Sequence, residues 1–110
     1  MATYKRIQGN SLWLDITADA NLVLIDPVWD NWTGVWNIVK KVGGVVLASG
    51  LLTRSTTTGI FNLRIGPLAA GVTWTALAPG QYVLEIEINN VSVDYRDEKH
   101  HTLIITAQGI

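Results

Sequence analysis

Apolar and polar side chains alternate along this chain with a period of two, the pattern of half-buried β-strands. The clearest instance runs from Tyr82 to Ile88. Tyr82, Leu84, Ile86 and Ile88 share one face, and Val83, Glu85 and Glu87 share the other. Pro79 cannot donate to a sheet ladder and Gly80 tolerates positive φ, so the strand is expected to begin just after them. Leu12 to Thr17 alternates as cleanly, with Leu12, Leu14 and Ile16 inward and Trp13, Asp15 and Thr17 outward. Phe61, Leu63 and Ile65 make a third inward row. Residues 3–8 are expected to form a short first strand that ends at the turn Gly9-Asn10-Ser11.

In the middle of the chain, Trp32 to Lys41 places Trp36 and Ile38 on one face, with Val42 continuing it, and Val45 to Leu52 supplies a partner strand. Gly43-Gly44 between them suits a two-residue primed turn, which requires positive φ. Leu22-Val23-Leu24-Ile25 is apolar throughout and is broken by Asp26-Pro27. Thr53 to Thr58 reads as a polar loop, and residues 66–76 as irregular, with a single helical turn at Thr73-Trp74-Thr75-Ala76. The pattern blurs over the hydrophilic residues Asp94 to His101, read as a charged hairpin loop, and Thr102 to Ala107 closes the sheet. No segment sustains an apolar spacing of three and four, so no long helix is expected.

Seven or so short strands separated by turn signals predict a single all-β domain over residues 1–110, an immunoglobulin-like antiparallel sandwich of two sheets. Trp36 falls where such a sandwich buries a tryptophan in a central strand. Tyr82, two residues after Gly80, is placed to return its hydroxyl to backbone upstream and tie the corner down. Pro79, Gly80 and Tyr82 are therefore assigned a structural role.

Composition narrows the function. Hydrophobic residues make up 48% of the 110 residues and charged residues 15%, against roughly 25% charged in an average globular chain. Such a surface carries apolar and aromatic area, and with five tryptophans it points to a partner that covers some of it. The net charge of −1 gives no basic field for nucleic acid or an anionic membrane. Cysteine is absent, which excludes disulfides, thiolate metal sites and thiol nucleophiles. The first residues lack an apolar run behind Lys5-Arg6, so no secretory signal is expected. The uncharged run from Ile65 to Leu84 is long enough to span a bilayer, but Pro67, Pro79 and three glycines mark it as loops and turns.

Candidate chemistry is sparse. Glu85 and Glu87 share a strand face, and a carboxylate pair at that spacing suits glycoside hydrolysis. Two adjacent positions on a solvated face, opposite Arg64 or Lys40, supply nothing to separate their pKa values, and they read as an amphipathic strand. Asp97, Glu98, His100 and His101 form a His-containing cluster, but neighbouring residues on a strand point to opposite faces and cannot both reach one metal. Asp26, Asp30 and Asn31 lack the spacing of a calcium loop. No nucleophile elbow, phosphate loop or dinucleotide fingerprint occurs, so the chain is read as a non-enzyme without metal or cofactor. What remains is the aromatic set Trp13, Trp29, Trp32 and Trp74, with Trp36. These serve as core or edge residues, as a subunit interface in which tryptophan is enriched, or as a platform for sugar rings.

Several of these stretches taken together resemble a family: Leu12-Trp13-Leu14-Asp15-Ile16-Thr17, Trp32-Thr33-Gly34-Val35-Trp36, the Gly43-Gly44 hairpin, Gly59-Ile60-Phe61-Asn62-Leu63, and Thr73 to Leu77 running into Pro79-Gly80-Gln81-Tyr82-Val83-Leu84-Glu85-Ile86. They are similar to the small immunoglobulin-like domains of tailed-phage tail and baseplate proteins, such as the N-terminal domain of baseplate upper proteins. In those proteins a stalk or receptor-binding region often follows the domain, whereas this chain stops at Ile110, which is expected of a free-standing small virion protein. The resemblance implies a virion component made in the host bacterial cytoplasm, docking to itself or to neighbouring tail, baseplate or capsid proteins. Its alternative is a carbohydrate-binding or host-attachment module that meets a surface glycan through exposed tryptophan.

Overall fold

The alternation is realised as seven strands. The computed structural model describes residues 2–8, 10–18, 22–66 and 77–107. In chain order the strands are β1 (Thr3–Ile7), β2 (Leu12–Thr17), β3 (Thr33–Val39), β4 (Val46–Arg54), β5 (Ile60–Ile65), β6 (Gly80–Asn90) and β7 (Tyr95–Thr106). Between β2 and β3 the apolar run forms one helical turn, α1 (Leu22–Ile25), closed by Asp26 N–H donating to the Leu22 carbonyl and stopped by Pro27. The 3-10 turns Trp29–Asn31 and Val91–Val93 complete the regular structure of the described residues. The expected turn at Thr73–Ala76 lies outside them.

The strands hydrogen-bond in the order β1-β7-β6-β3-β4-β5-β2 as one mixed sheet. It curls nearly into a barrel, so that its edges β1 and β2 face each other across a shallow cleft. Arg6 reaches over this gap, donating from Nε and a terminal nitrogen to the Ser11 carbonyl at 3.0 and 2.6 Å. One pairing departs from the antiparallel expectation: β1 runs parallel to β7, Thr3 opposite Thr102 and Ile7 opposite Thr106. Tight hairpins force antiparallel neighbours, and no hairpin joins these two strands at opposite ends of the sequence. A seam is also present. β4 meets β5 through only two residue pairs, Thr53 with Asn62 and Arg54 with Phe61, while it is paired to β3 from Gly34–Leu52 to Val39–Val46.

The inward rows read from the sequence line the core. Phe61, Leu63, Ile65, Ile38, Leu84, Ile86 and Leu103 are fully buried, with Leu12, Ile16 and Ile88 close to it. Trp36 is buried too, and its indole lies across Gly50, its cross-strand partner on β4. A Cβ at Gly50 would stand 2.7 Å from the Trp36 ring, and one at Gly34 would stand 2.7 Å from Leu52. Large side chains are thus seated by glycines on the neighbouring strand.

Three boundaries differ from expectation, each for a local reason. The β3–β4 connection is not a primed turn. Gly44 N–H donates to the Lys41 carbonyl at 2.9 Å around Val42 and Gly43, and only Gly43 takes positive φ, 77°. One left-handed residue at the third position is the pattern of a type II turn, and it leaves Val42 exposed instead of continuing the Trp36–Ile38 row. β4 runs on to Arg54, shortening the polar loop. The largest difference is β7, which begins at Tyr95, so the hydrophilic stretch is strand, not loop. Its charged residues pair along β6, and cross-strand partners there replace the apolar signal.

At the corner, Gly80 opens β6, and the Tyr82 hydroxyl donates to the Ala78 carbonyl at 2.5 Å. The Tyr82 ring is buried, with Lys40 Nζ 4.3 Å from its centroid. Tyr82→Phe is expected to cost about 0.5–1.5 kcal/mol, the net value of one such hydrogen bond. Gly50→Ala is expected to cost about 1–3 kcal/mol by pushing the Trp36 ring off its rotamer. Urea denaturation followed by tryptophan fluorescence measures both.

Candidate functional site

The tryptophans part company. Trp13, on the outer face of edge strand β2, is 67% exposed, with the Arg64 guanidinium 5.2 Å from its ring. Trp29 is half-buried. It donates from Nε1 to the Ser55 carbonyl at 3.0 Å and packs on Phe61. Trp32 is a core residue, 1% exposed, its Nε1 donating to the Asp26 carbonyl and its ring edge-on to Tyr95. The expectation of Trp32 as a contact residue is therefore corrected: the segment before β3 folds back over the end of the sheet and takes its indole inside. Trp74 lies outside the described residues.

Trp32 belongs to a buried polar knot. Asp26 accepts from Val28 N–H on Oδ1 (3.0 Å) and from Asn31 and Asn90 amides on Oδ2 (2.9 Å each). Asn90, also buried, accepts from Ser92 N–H and so caps the turn into β7. The hydrogen bonds from Asn90, Asn31 and Val28 hold the Asp26 carboxyl below its ordinary range against the opposing effect of burial. Asp26, Asp30 and Asn31 do not converge as calcium ligands would. Asp26 spends its oxygens on three N–H donors, and Asp30 points outward, 3.9 Å from Arg54.

The outer face of the β6–β7 pair gathers charges that the linear sequence keeps apart. Antiparallel register sets Asn90 opposite Tyr95, which puts Glu87 opposite Glu98 and Glu85 opposite His100. Two glutamates face to face repel, and Arg96 lies between them, 3.0 Å from Glu87 and 3.3 Å from Glu98. His100 Nε2 is 2.9 Å from Glu98 Oε1 and 3.9 Å from Glu85 Oε2. The hydrogen bond from His100 is the main cause that holds Glu98 below the ordinary carboxylate range. The expected partners of Glu85 and Glu87, Arg64 and Lys40, are elsewhere. Arg64 bonds Asp15 at 2.9 Å, and Lys40 lies over Tyr82. The pair is also less solvated than expected, since the Glu85 side chain is only 13% exposed. Sequence reasoning grouped Glu98 with His100 but missed that Glu85 joins them. Pairing Asn90 with Tyr95 across the turn would have found it, because each step back along β6 then matches one step forward along β7.

His101 faces the other side of the sheet from His100, as alternation requires. Its Nδ1 accepts from Ala2 N–H at 3.1 Å, and its ring meets the Tyr4 ring edge-on, so it helps seat β1 on β7.

A second outward surface is apolar. On β4 and the turn before it, Val42, Val45, Val46, Leu47 and Leu51 are exposed, Leu51 at 79% and Val45 at 82%. On β3, next to Leu51, half-buried Val35 extends this surface toward Glu87. Apolar groups thus occupy one side of the outer face and the charged ladder the other. Among the described residues, no helix is long and apolar enough to cross a membrane.

Burial first, and then nearby positive charge including Lys99, lowers the His101 pKa below its usual 6.5. As pH falls the unfolded chain therefore takes up this proton before the folded one does. The contribution to stability is complete above about pH 6.5 and is lost as pH drops toward and through the folded value. Thermal melts across this range should show the midpoint falling below about pH 6.5, and His101→Gln should flatten that limb. Asp26, with its depressed pKa, contributes stability that is present above its unfolded value of 3.8 and lost as pH falls further, a separate limb that Asp26→Asn should remove.

Searches against protein-family models and against curated proteins find no match to this chain.

Proposed function

We propose that this chain is a non-enzymatic structural protein with an immunoglobulin-like sandwich fold, acting in a phage-type virion by self-association or by docking to neighbouring virion proteins. The sandwich reading is supported by the seam at β4, which divides the strands into β1-β7-β6-β3-β4 and β5-β2. Buried Trp36 on β3 and the Tyr82 corner fit the same fold. The virion setting comes from the sequence resemblance alone.

The observation that carries self-association is the apolar surface on β4. Single exposed apolar residues are ordinary, whereas five on one strand and its turn, interrupted on the outer face by the Asn37–Ser49 pair, mark a contact surface. Leu51 and Val45 hold their side chains in water without helping the core. A partner that covers them gains the burial energy that folding left unused. Stable association needs about 800 Å² per partner, more than these residues offer alone, so the contact extends onto β3 and the charged ladder beside it. Trp13 favours a second reading, attachment to a host glycan. It is the one tryptophan of the described residues with a largely exposed ring, but Arg64 lies against that ring.

Sedimentation and light scattering over a concentration series test the first reading. The wild-type chain is expected to associate, and Val45→Lys with Leu51→Lys to remain monomeric with an unchanged β-sheet circular dichroism spectrum. A wild-type chain that stays monomeric at the highest concentrations, with Trp fluorescence that shifts on adding polysaccharide, would replace assembly with the glycan reading.

A further inference from the structure

We propose that Glu85, Glu98 and His100 form a binding site for a zinc-class divalent ion on the outer face of the β6–β7 pair. The three come from two strands locked in register, Glu85 directly opposite His100 and Glu98 two residues before it on the same face. One ligand atom from each lies within 4.8 Å of the others. His100 Nε2 stands 2.9 Å from Glu98 Oε1 and 3.9 Å from Glu85 Oε2. Zinc bonded at about 2.0–2.2 Å in tetrahedral geometry holds its ligand atoms roughly 3.3–3.6 Å apart. The two separations from His100 bracket that value, so side-chain rotation would close the site with the strands in place.

Two further observations point to a cation. The Glu85 side chain is only 13% exposed. Its ion-pair partner, His100, stands 3.9 Å from the carboxylate, beyond hydrogen-bond reach. A positive ion bonded to both side chains would close that gap. The local charge points the same way. The outer face here carries Glu85, Glu87 and Glu98 but a single guanidinium, Arg96, which pairs with Glu87 and Glu98, so the patch is short of fixed positive charge.

The surroundings suit a coordinating role. Arg96 holds Glu87 and the second oxygen of Glu98, which turns Glu98 Oε1 toward His100, as outer partners of metal ligands do. An imidazole with two carboxylates and no sulfur is a donor set for zinc and its neighbours among the transition ions, not for soft ions. Coordination through Nε2 requires the ring proton on Nδ1. Three protein ligands leave a position for water.

Isothermal titration of the full-length chain with zinc chloride, in a buffer that does not bind zinc, tests the site. One ion per chain is expected to bind saturably, and the unfolding midpoint to rise with added zinc. Glu85→Gln, Glu98→Gln and His100→Ala are each expected to weaken binding by roughly 10–100-fold or more, the range that even a supporting partner of a ligand commands. Circular dichroism checks that these outward-facing variants keep the fold, and His101→Gln should bind as wild type does. In nitrogen-15 spectra of the imidazoles, zinc should shift His100 Nε2 and leave His101 in place. No saturation at millimolar zinc would overturn the site. So would binding that survives His100→Ala or that is lost with His101→Gln.

Discussion

The register of β6 is the constraint on which the rest of this structure rests. β6 is paired with β7 along its whole length and with β3 from Val83 to Asn89. Its inner row, Tyr82, Leu84, Ile86 and Ile88, is buried from end to end. A slip of one residue would exchange that row for Val83, Glu85 and Glu87 and place two carboxylates in the core. The hydrophobic cost of a slip therefore fixes the neighbours as well. Trp36 must face Ile86, Ile38 must face Leu84, and Leu103 must face Tyr82. The same register decides what meets on the outside, so the charged ladder of Glu85, Glu87, Arg96, Glu98 and His100 is a by-product of how the core is packed.

At the far end of β6 the inner row finishes with a polar residue, and that exception organises the loops. Asn90 is buried like the residues before it, and its amide finds the Asp26 carboxylate. Asp26 in turn gathers Val28, Asn31 and, through its carbonyl, the Trp32 indole. A buried carboxylate is tolerable when its oxygens are spent on hydrogen bonds. The knot joins the long β2–β3 connection to the β6–β7 turn, two segments far apart in sequence. It also draws Trp32 inside, which removes that ring from any surface role.

The two functional proposals fall on the two sides of one sheet face. The β3–β4 side ends in exposed valine and leucine, and the β6–β7 side in half-buried carboxylates and an imidazole. Apolar area supplies an association surface with little directionality. The charged ladder holds fixed geometry because each of its side chains springs from a hydrogen-bonded strand. A contact that covers the first also approaches the second, so association and ion binding would be felt by one another.

The sequence by itself determined the class of the fold and most of its inner surface. Periods of two at Leu12–Ile16, Phe61–Ile65 and Tyr82–Ile88 name the buried residues directly, because alternation is a local consequence of strand geometry. Pro79-Gly80 and Tyr82 carried the corner for the same reason: the turn and its lock, from Ala78 to Tyr82, span five residues. What only the tertiary structure decided depends on residues brought together from afar. β7 looked like a charged loop because its partners sit on β6. Trp32 looked available because the knot that buries it ties position 26 to position 90. β1 runs parallel to β7 because no short turn dictates its direction. Glu85 met Glu98 and His100 only through the pairing of two strands, and a period of two carries no information about which strand lies next door.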